Sequence, residues 1–341
     1  MCYNKSCYFS VSILNVQVIL FLSWGGSMTS QFYIVLNQVL VFGILMLIGF
    51  VMAKVKVLTQ DVLNGVSKLI VQLLLPCMVF HLIIGNGITI DHLLANRSYA
   101  LGALLFFAVL CILGYAMAGA CHMHATGRDM FAVCTMFCNS GFMGIPLITS
   151  MFAGNSQVMA CFTMYIAMDQ ILLWTVGLLL CTWHVKRKSA AGFAKLLNPM
   201  IIAIVIAMAI LYFGISLPRP VLTTIQGLGD CSRYLALLYL GALLAYKPVF
   251  SMLLKPHVYL LIVFKMTILP LGVYFFMNLF FSAPVALLMA TLTSLPPMVA
   301  TTMMARTYGG DETVAAESVF LATIACLVTI PVVQWLIAFI W

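Results

Sequence analysis

Long apolar runs, each near the length a helix needs to cross the hydrocarbon core of a bilayer, about 20 residues, decide what this chain can become. Reading from residue 28, ten candidates cover approximately 32–53, 63–84, 99–120, 130–150, 158–184, 199–216, 232–250, 258–281, 284–304 and 313–340. Hydrophobic residues make up 64% of the chain and charged residues 7%, a balance foreign to water-soluble domains. Backbone polar groups in lipid must be satisfied internally, so the expected fold class is an all-α polytopic membrane protein. Cys77, Cys111, Cys134, Cys161 and Cys326 lie inside apolar runs, where a thiol packs as a small hydrophobe rather than as part of a disulfide framework. The formal charge of +8 is distributed over the links. That pattern points to membrane topology and not to nucleic acid.

The links set an orientation. Those after odd-numbered runs hold Lys54, Lys56, Arg128, Lys186, Arg187, Lys188, Lys195, Lys247, Lys255 and Arg306, whereas those after even-numbered runs hold only Arg97 and Arg219; Arg233, close to a span boundary, is not counted. The positive-inside rule then puts the odd links in the cytoplasm and both ends of the ten-span core outside, in the cytoplasmic (plasma) membrane. Residues 1–27 read as an N-terminal extension or an extra hydrophobic segment.

Five runs, the basic link KRKSAAGFAK and five more runs form the pattern of an internal repeat. The expected division is 28–184 for the first half, 185–197 for a cytoplasmic link and 198–341 for the second half, inverted because each half has an odd number of spans. MFAGNSQVMA (151–160) and TYGGDETVAA (307–316) share an aromatic, a glycine and a polar pair leading into the next run.

Each of these segments follows the most irregular run of its half. In CNSGFMGIPLITS (138–150), Asn139, Ser140, Gly141, Gly144 and Pro146 interrupt an otherwise apolar helix; in TLTSLPPMVATT (291–302), Ser294 precedes the adjacent Pro296 and Pro297. Proline removes a backbone donor and clashes with the preceding turn. Broken backbone at membrane depth survives only in the protein interior or beside water, and paired breaks in corresponding spans of inverted halves point to a transporter's binding site. Half-helix N-termini there suit an anionic substrate. The plainer reading is that both breaks are packing kinks.

With these segments in hand, the chain resembles the auxin efflux carrier family, which includes bacterial malate and malonate permease-like proteins and the plant PIN carriers. The resemblance covers almost everything from residue 30. It rests on FCNSGFMGIPLI, DQILLWTVGLLL, LNPMIIAIVIAMAILYFGISLP, LALLYLGALLA and LPPMVATTMMARTYGGDETVAA. It implies ten transmembrane helices as two inverted five-helix repeats, with broken fourth and ninth helices crossing at the centre. It further implies a scaffold of spans one, two, six and seven, and a transport domain of the remaining spans that moves like an elevator. The implied substrates are small organic anions, mono- or dicarboxylates, and a homodimer is compatible with it. The family's span-four Asn and Pro fall on Asn139 and Pro146, and its span-nine crossover on Pro296 and Pro297. Asp169 stands where many relatives have Asn, which bears on substrate charge and coupling ion.

Ionisable residues inside spans are functional candidates by default. Asp169, with Gln170 beside it, is the candidate for a coupled H+ or Na+. Its plain alternative is a structural partner for Lys265. Lys265 in turn is assigned to a substrate carboxylate, to Asp169, or to snorkelling towards an interface. Glu317 reads as an acidic residue favouring a helix N-terminus, His81 as an interfacial histidine, and CHMH (121–124) as too short and unmatched for a metal site. Arg306 is explained by topology alone, with substrate attraction as the alternative. No phosphate-binding loop or hydrolase motif occurs in the sequence, so the expectation is a secondary transporter and not an enzyme, with no cofactor and with lipid as its surroundings. The alternatives are a sodium-coupled carrier similar to bile-acid symporters, or a receptor that binds a ligand without moving it.

Overall fold

A computed structural model describes residues 26–85, 90–95, 97–185, 199–246 and 255–340. The expected segment 1–27, apart from its last two residues, and the basic link from Lys186 onward lie outside the described residues, as does Lys247. Every regular element described is helical. In chain order they are α1 (Gly26–Lys54), α2 (Gln60–Gly85), α3 (Ile90–Ala95), α4 (Arg97–Ala120), α5 (Ala125–Met136), α6 (Ser140–Met151) and α7 (Ser156–Thr182). They continue with α8 (Pro199–Phe213), α9 (Arg219–Ala245), α10 (Pro256–Asn278), α11 (Ala283–Ser294), α12 (Ala300–Tyr308) and α13 (Glu312–Ile340). Among the described residues six helices, α2, α4, α7, α9, α10 and α13, are long and apolar enough to cross a membrane; four shorter apolar stretches lie at Leu40–Lys54, Ser140–Met151, Pro199–Phe213 and Ala283–Ser294.

The faces of these helices show why the apolar runs are continuous instead of striped. On α4, Tyr99, Ala103, Phe107 and Leu110 are buried, while Leu101, Leu105 and Ile112 are exposed. A helix apolar on both its packed and its open face belongs in lipid. The same holds for α8, where Met200, Ile204 and Ala207 face inward and Ile202, Val205 and Ile206 outward.

Proline marks a recurring distortion. Wider π-helical turns occupy Ile70–Leu74 in α2, Ser140–Gly144 in α6 and Leu261–Ile268 in α10, and in each case a proline (Pro76, Pro146, Pro270) stands two residues beyond the turn. A proline cannot donate to the carbonyl four residues back, and its ring presses on that carbonyl. Widening the preceding turn relieves the clash without ending the helix. The π turn at Leu173–Gly177 in α7 has no such proline.

This corrects one expectation. Gly141, Gly144 and Pro146 do not make the break in the fourth run; they sit within α6, and the helix is interrupted earlier, over Phe137, Cys138 and Asn139. Pro296 and Pro297, by contrast, lie in the break itself, between α11 and α12.

Helices α1, α2, α8 and α9 pack chiefly on one another, and α4–α7 with α10–α13 form the second group. Glycine permits the closest approach in the first group: a Cβ at Gly49 would collide with the Leu238 carbonyl, and one at Gly241 with the Met46 carbonyl. Across α2 and α9, a Cβ at Gly229 would lie 2.7 Å from the Met78 Cα. Small residues allow helix backbones to meet in this way inside a membrane, where apolar burial no longer favours helix association.

Candidate functional site

The two breaks cross. Phe137 leaves α5 in an extended conformation (φ −106°, ψ 113°), and Leu295 leaves α11 likewise (φ −65°, ψ 148°). Extended backbone frees peptide groups that lipid cannot satisfy, and here each break satisfies the other. The Asn139 N–H donates to the Pro296 carbonyl at 2.8 Å, and the Met298 N–H to the Phe137 carbonyl at 3.0 Å. Together they form one antiparallel bridge between Cys138 and Pro297.

Side chains complete the crossing. Lys265, fully buried on the π turn of α10, donates from Nζ to the Leu295 carbonyl at 2.6 Å. That carbonyl stands at the end of α11, where the helix dipole is negative and a cation is favoured. The Ser140 hydroxyl at the start of α6 donates to Asp169 Oδ2 at 2.7 Å, and Gln170 Nε2 donates to the same oxygen at 3.2 Å. Asp169, fully buried on α7, thus sets its carboxylate at the positive end of α6. Lys265 and Asp169 make no ion pair with each other, correcting the direct pairing weighed above. Burial of each charge is compensated instead by its own hydrogen bonds.

Asn139 differs. It is 1% exposed and bridges the breaks through its backbone, yet neither Oδ1 nor Nδ2 has a partner within the described protein; Asp169 Oδ1 is in the same position. Buried polar atoms are nearly always bonded, so an amide with a donor and an acceptor unmet at the crossing is suited to a polar ligand. Ser294 is not available in the same way, because its hydroxyl donates to the Thr291 carbonyl at 2.7 Å on its own helix. Phe107 stacks on Tyr165 with centroids 5.2 Å apart and lies 5.8 Å from Phe137. These rings back the crossing on the side of α4 and α7. The Tyr165 hydroxyl lies 3.4 Å from Cys138 Sγ.

Of the residues expected at the site, Asn139, Ser140, Asp169, Gln170, Lys265, Pro296 and Pro297 converge on the crossing. Gly141 lies one position beyond Ser140, where a Cβ would be 3.2 Å from the Met78 tip, and Pro146 lies further along α6. Three residues given plain readings from the sequence have specific partners. His124 of the CHMH segment bonds Asp311 at 2.8 Å; Glu317 lies 3.4 Å from His257, both nearly buried; Arg306 is bound to Asn64, Gln60 and Glu312. Sequence reading missed the buried Asp129, which accepts from Tyr115 at 3.0 Å and bonds His184 at 2.6 Å. Asp129 stands one residue before the run 130–150 and next to Arg128, so it reads as an ordinary link residue.

Apolar helices long enough to span a bilayer, gathered round two interrupted helices that cross, define the class: a multi-pass membrane transporter. The chain belongs to the Membrane transport protein family, the one that holds the auxin efflux and PIN-like carriers, whose profile matches residues 34–191 and 189–334. No curated protein matches the chain.

Proposed function

We propose that this transporter is a secondary carrier that moves a small organic anion, a mono- or dicarboxylate, across the cytoplasmic membrane by alternating access around the crossing. The observation that carries the reading is the Asn139 side chain, buried at the crossing with its donor and acceptor both unmet. A carboxylate accepts from the amide, while the first turns of α6 and α12 direct positive dipole ends towards it. Pro296 and Pro297 hold the second break open, and Lys265 and Ser140 fix its backbone and its acidic neighbour. In this reading the ends of the core lie outside, a topology that the basic links support, and the group of α4–α7 with α10–α13 is the mobile unit, moving elevator-like against α1, α2, α8 and α9.

Asp169 and Gln170 are the proposed place for a coupled H+ or Na+. The specific observation in favour is that Asp169 Oδ1 is buried and unpartnered while Oδ2 is fixed by two donors. A sodium-coupled mode therefore stands as the second reading.

Counterflow in proteoliposomes tests both. Vesicles are loaded with unlabelled malate, malonate, lactate or indole-3-acetate, and uptake of the same labelled acid is followed with and without Na+ or a pH gradient. The expected result is accumulation of one acid that disappears in Asn139→Ala. If no acid exchanges while the protein stays folded and monodisperse, the anion-carrier reading fails and a ligand-binding receptor takes its place.

A further inference from the structure

Arg306 sits near the end of α12, the half-helix whose other end lies at the crossing, and its guanidinium joins that half-helix to α2. Nε donates to Asn64 Oδ1 at 2.8 Å, one Nη to the Gln60 carbonyl at 3.1 Å and to Gln60 Oε1 at 2.7 Å, and the other Nη to Glu312 Oε1 at 3.0 Å. The side chain is 10% exposed although Gln60 and Asn64 are exposed, so the guanidinium fills the seam rather than lying on its surface. One turn further into the bundle, Thr307 Oγ1 and Ser67 Oγ are 3.2 Å apart.

These contacts link the two packing groups, since α2 belongs to one and α12 to the other. They lie at the end of the bundle that carries Lys54 and Lys56, which the positive-inside rule makes cytoplasmic. The two half-helices leaving the crossing are also unequally covered. Ala300–Ala305 of α12 are all buried, whereas Thr149 and Ser150 of α6 are exposed.

We propose that Arg306, Gln60 and Asn64, with Ser67 and Thr307 beneath them, are a cytoplasmic latch that holds the carrier closed on that side and must part in every transport cycle. The chemistry suits a reversible closure. Gln60 and Asn64 are neutral, so the guanidinium can leave them for water without stranding a buried carboxylate, and Glu312, just beyond α12 in the chain, stays with it. A buried ion pair across the seam would be far harder to separate. The latch rests on the alternating-access reading and adds to it a state and a set of gating residues.

The test is a cysteine pair, Ser67→Cys with Thr307→Cys, in the full chain in proteoliposomes. Oxidation is expected to join the two positions, seen as a linked 67–307 peptide by mass spectrometry, and to stop counterflow at least tenfold, with recovery on reduction. A second variant, Gln60→Ala with Asn64→Ala, added to the pair, is expected to lower the yield of linked peptide severalfold at fixed oxidation time, because the seam is open more often. Counterflow that continues through the cross-linked protein would overturn the latch while leaving the carrier intact. Failure of the pair to link, or a yield indifferent to Gln60 and Asn64, would overturn it as well. A wild-type protein that exchanges no acid would remove the transport reading itself, and the latch with it.

Discussion

The peptide N–H of Asn139 bonds the carbonyl of Pro296 at 2.8 Å, tying the two interrupted helices together where each has lost its own ladder. The side chain of Asn139 contributes nothing to that tie, which separates its structural role from the binding role proposed for it. Asn139→Ala is therefore expected to keep the backbone bridge and a melting temperature within a few degrees of wild type, while exchange of the labelled acid falls at least tenfold. Unchanged exchange would remove Asn139 from the site.

The prolines of the second break make a different prediction. Neither Pro296 nor Pro297 can donate, and each disfavours helix in the residue before it. A proline costs about 3 kcal/mol relative to alanine in a helix interior, so the double change Pro296→Ala, Pro297→Ala favours a continuous helix from α11 into α12. Thermal melting should show a protein as stable as wild type or more so, and counterflow should be lost. Full exchange in the double variant would mean that the crossing does not need the prolines.

Ser140 and Asp169 can be separated by chemistry. Ser140→Ala leaves a fully buried carboxylate with only the 3.2 Å bond from Gln170 on its fixed oxygen. Loss of a hydrogen bond to a buried charge costs about 1.5–3 kcal/mol, which should lower the melting temperature by several degrees. Asp169→Asn can still accept from Ser140, so its stability should change less, but it removes the charge that a cation would require. Dependence of counterflow on Na+ or a pH gradient, if present in wild type, should vanish in Asp169→Asn and persist in Ser140→Ala. The reverse pattern would transfer the ion role away from Asp169.

Much of this was legible in the sequence because lipid makes the rules severe. Apolar runs near 20 residues had to be helices, and Pro296–Pro297 had to break one. The location of the first break was not legible. Glycine and proline at 141, 144 and 146 drew attention to α6, yet Pro146 only widens a turn, and what ends α5 is the pairing of Phe137 and Asn139 with a segment far along the chain. The partner of Lys265 was not legible for the same reason. That partner, the Leu295 carbonyl, is freed by the second break, and no residue pattern records a carbonyl that needs a cation. Gln60 and Asn64, polar residues at the start of a helix, carry no pattern that points to Arg306, which is far along the chain.

Close helix approach gives a prediction independent of transport. A side chain at Gly241 would enter the Met46 carbonyl on α1, backbone against backbone, with nothing flexible to yield. Overpacking of this kind costs about 1–3 kcal/mol or more, so Gly241→Val should lower the melting temperature sharply in detergent and reduce the yield of monodisperse protein. Gly65→Ala on the exposed face of α2, where a Cβ meets nothing within 4 Å, should be neutral or stabilising by about 0.5–1 kcal/mol through helix propensity. Similar losses at both positions would contradict the packing of α1 on α9.

Lys265 offers a test of where the positive charge acts. If its ammonium serves the Leu295 carbonyl, as the 2.6 Å bond indicates, Lys265→Met leaves that buried acceptor unmet at a cost of about 1–3 kcal/mol, and the second break loses its anchor. The maximal exchange rate should then fall severalfold while the substrate concentration for half-saturation stays within about twofold, since no contact to the substrate has been removed. Were Lys265 to bind the carboxylate directly, the half-saturating concentration should instead rise at least tenfold, the scale of losing one charge-assisted hydrogen bond of about 1.5–3 kcal/mol. The ratio of the two effects in one titration of exchange against substrate therefore distinguishes a lysine that positions the crossing from one that holds the anion, and the geometry favours the first.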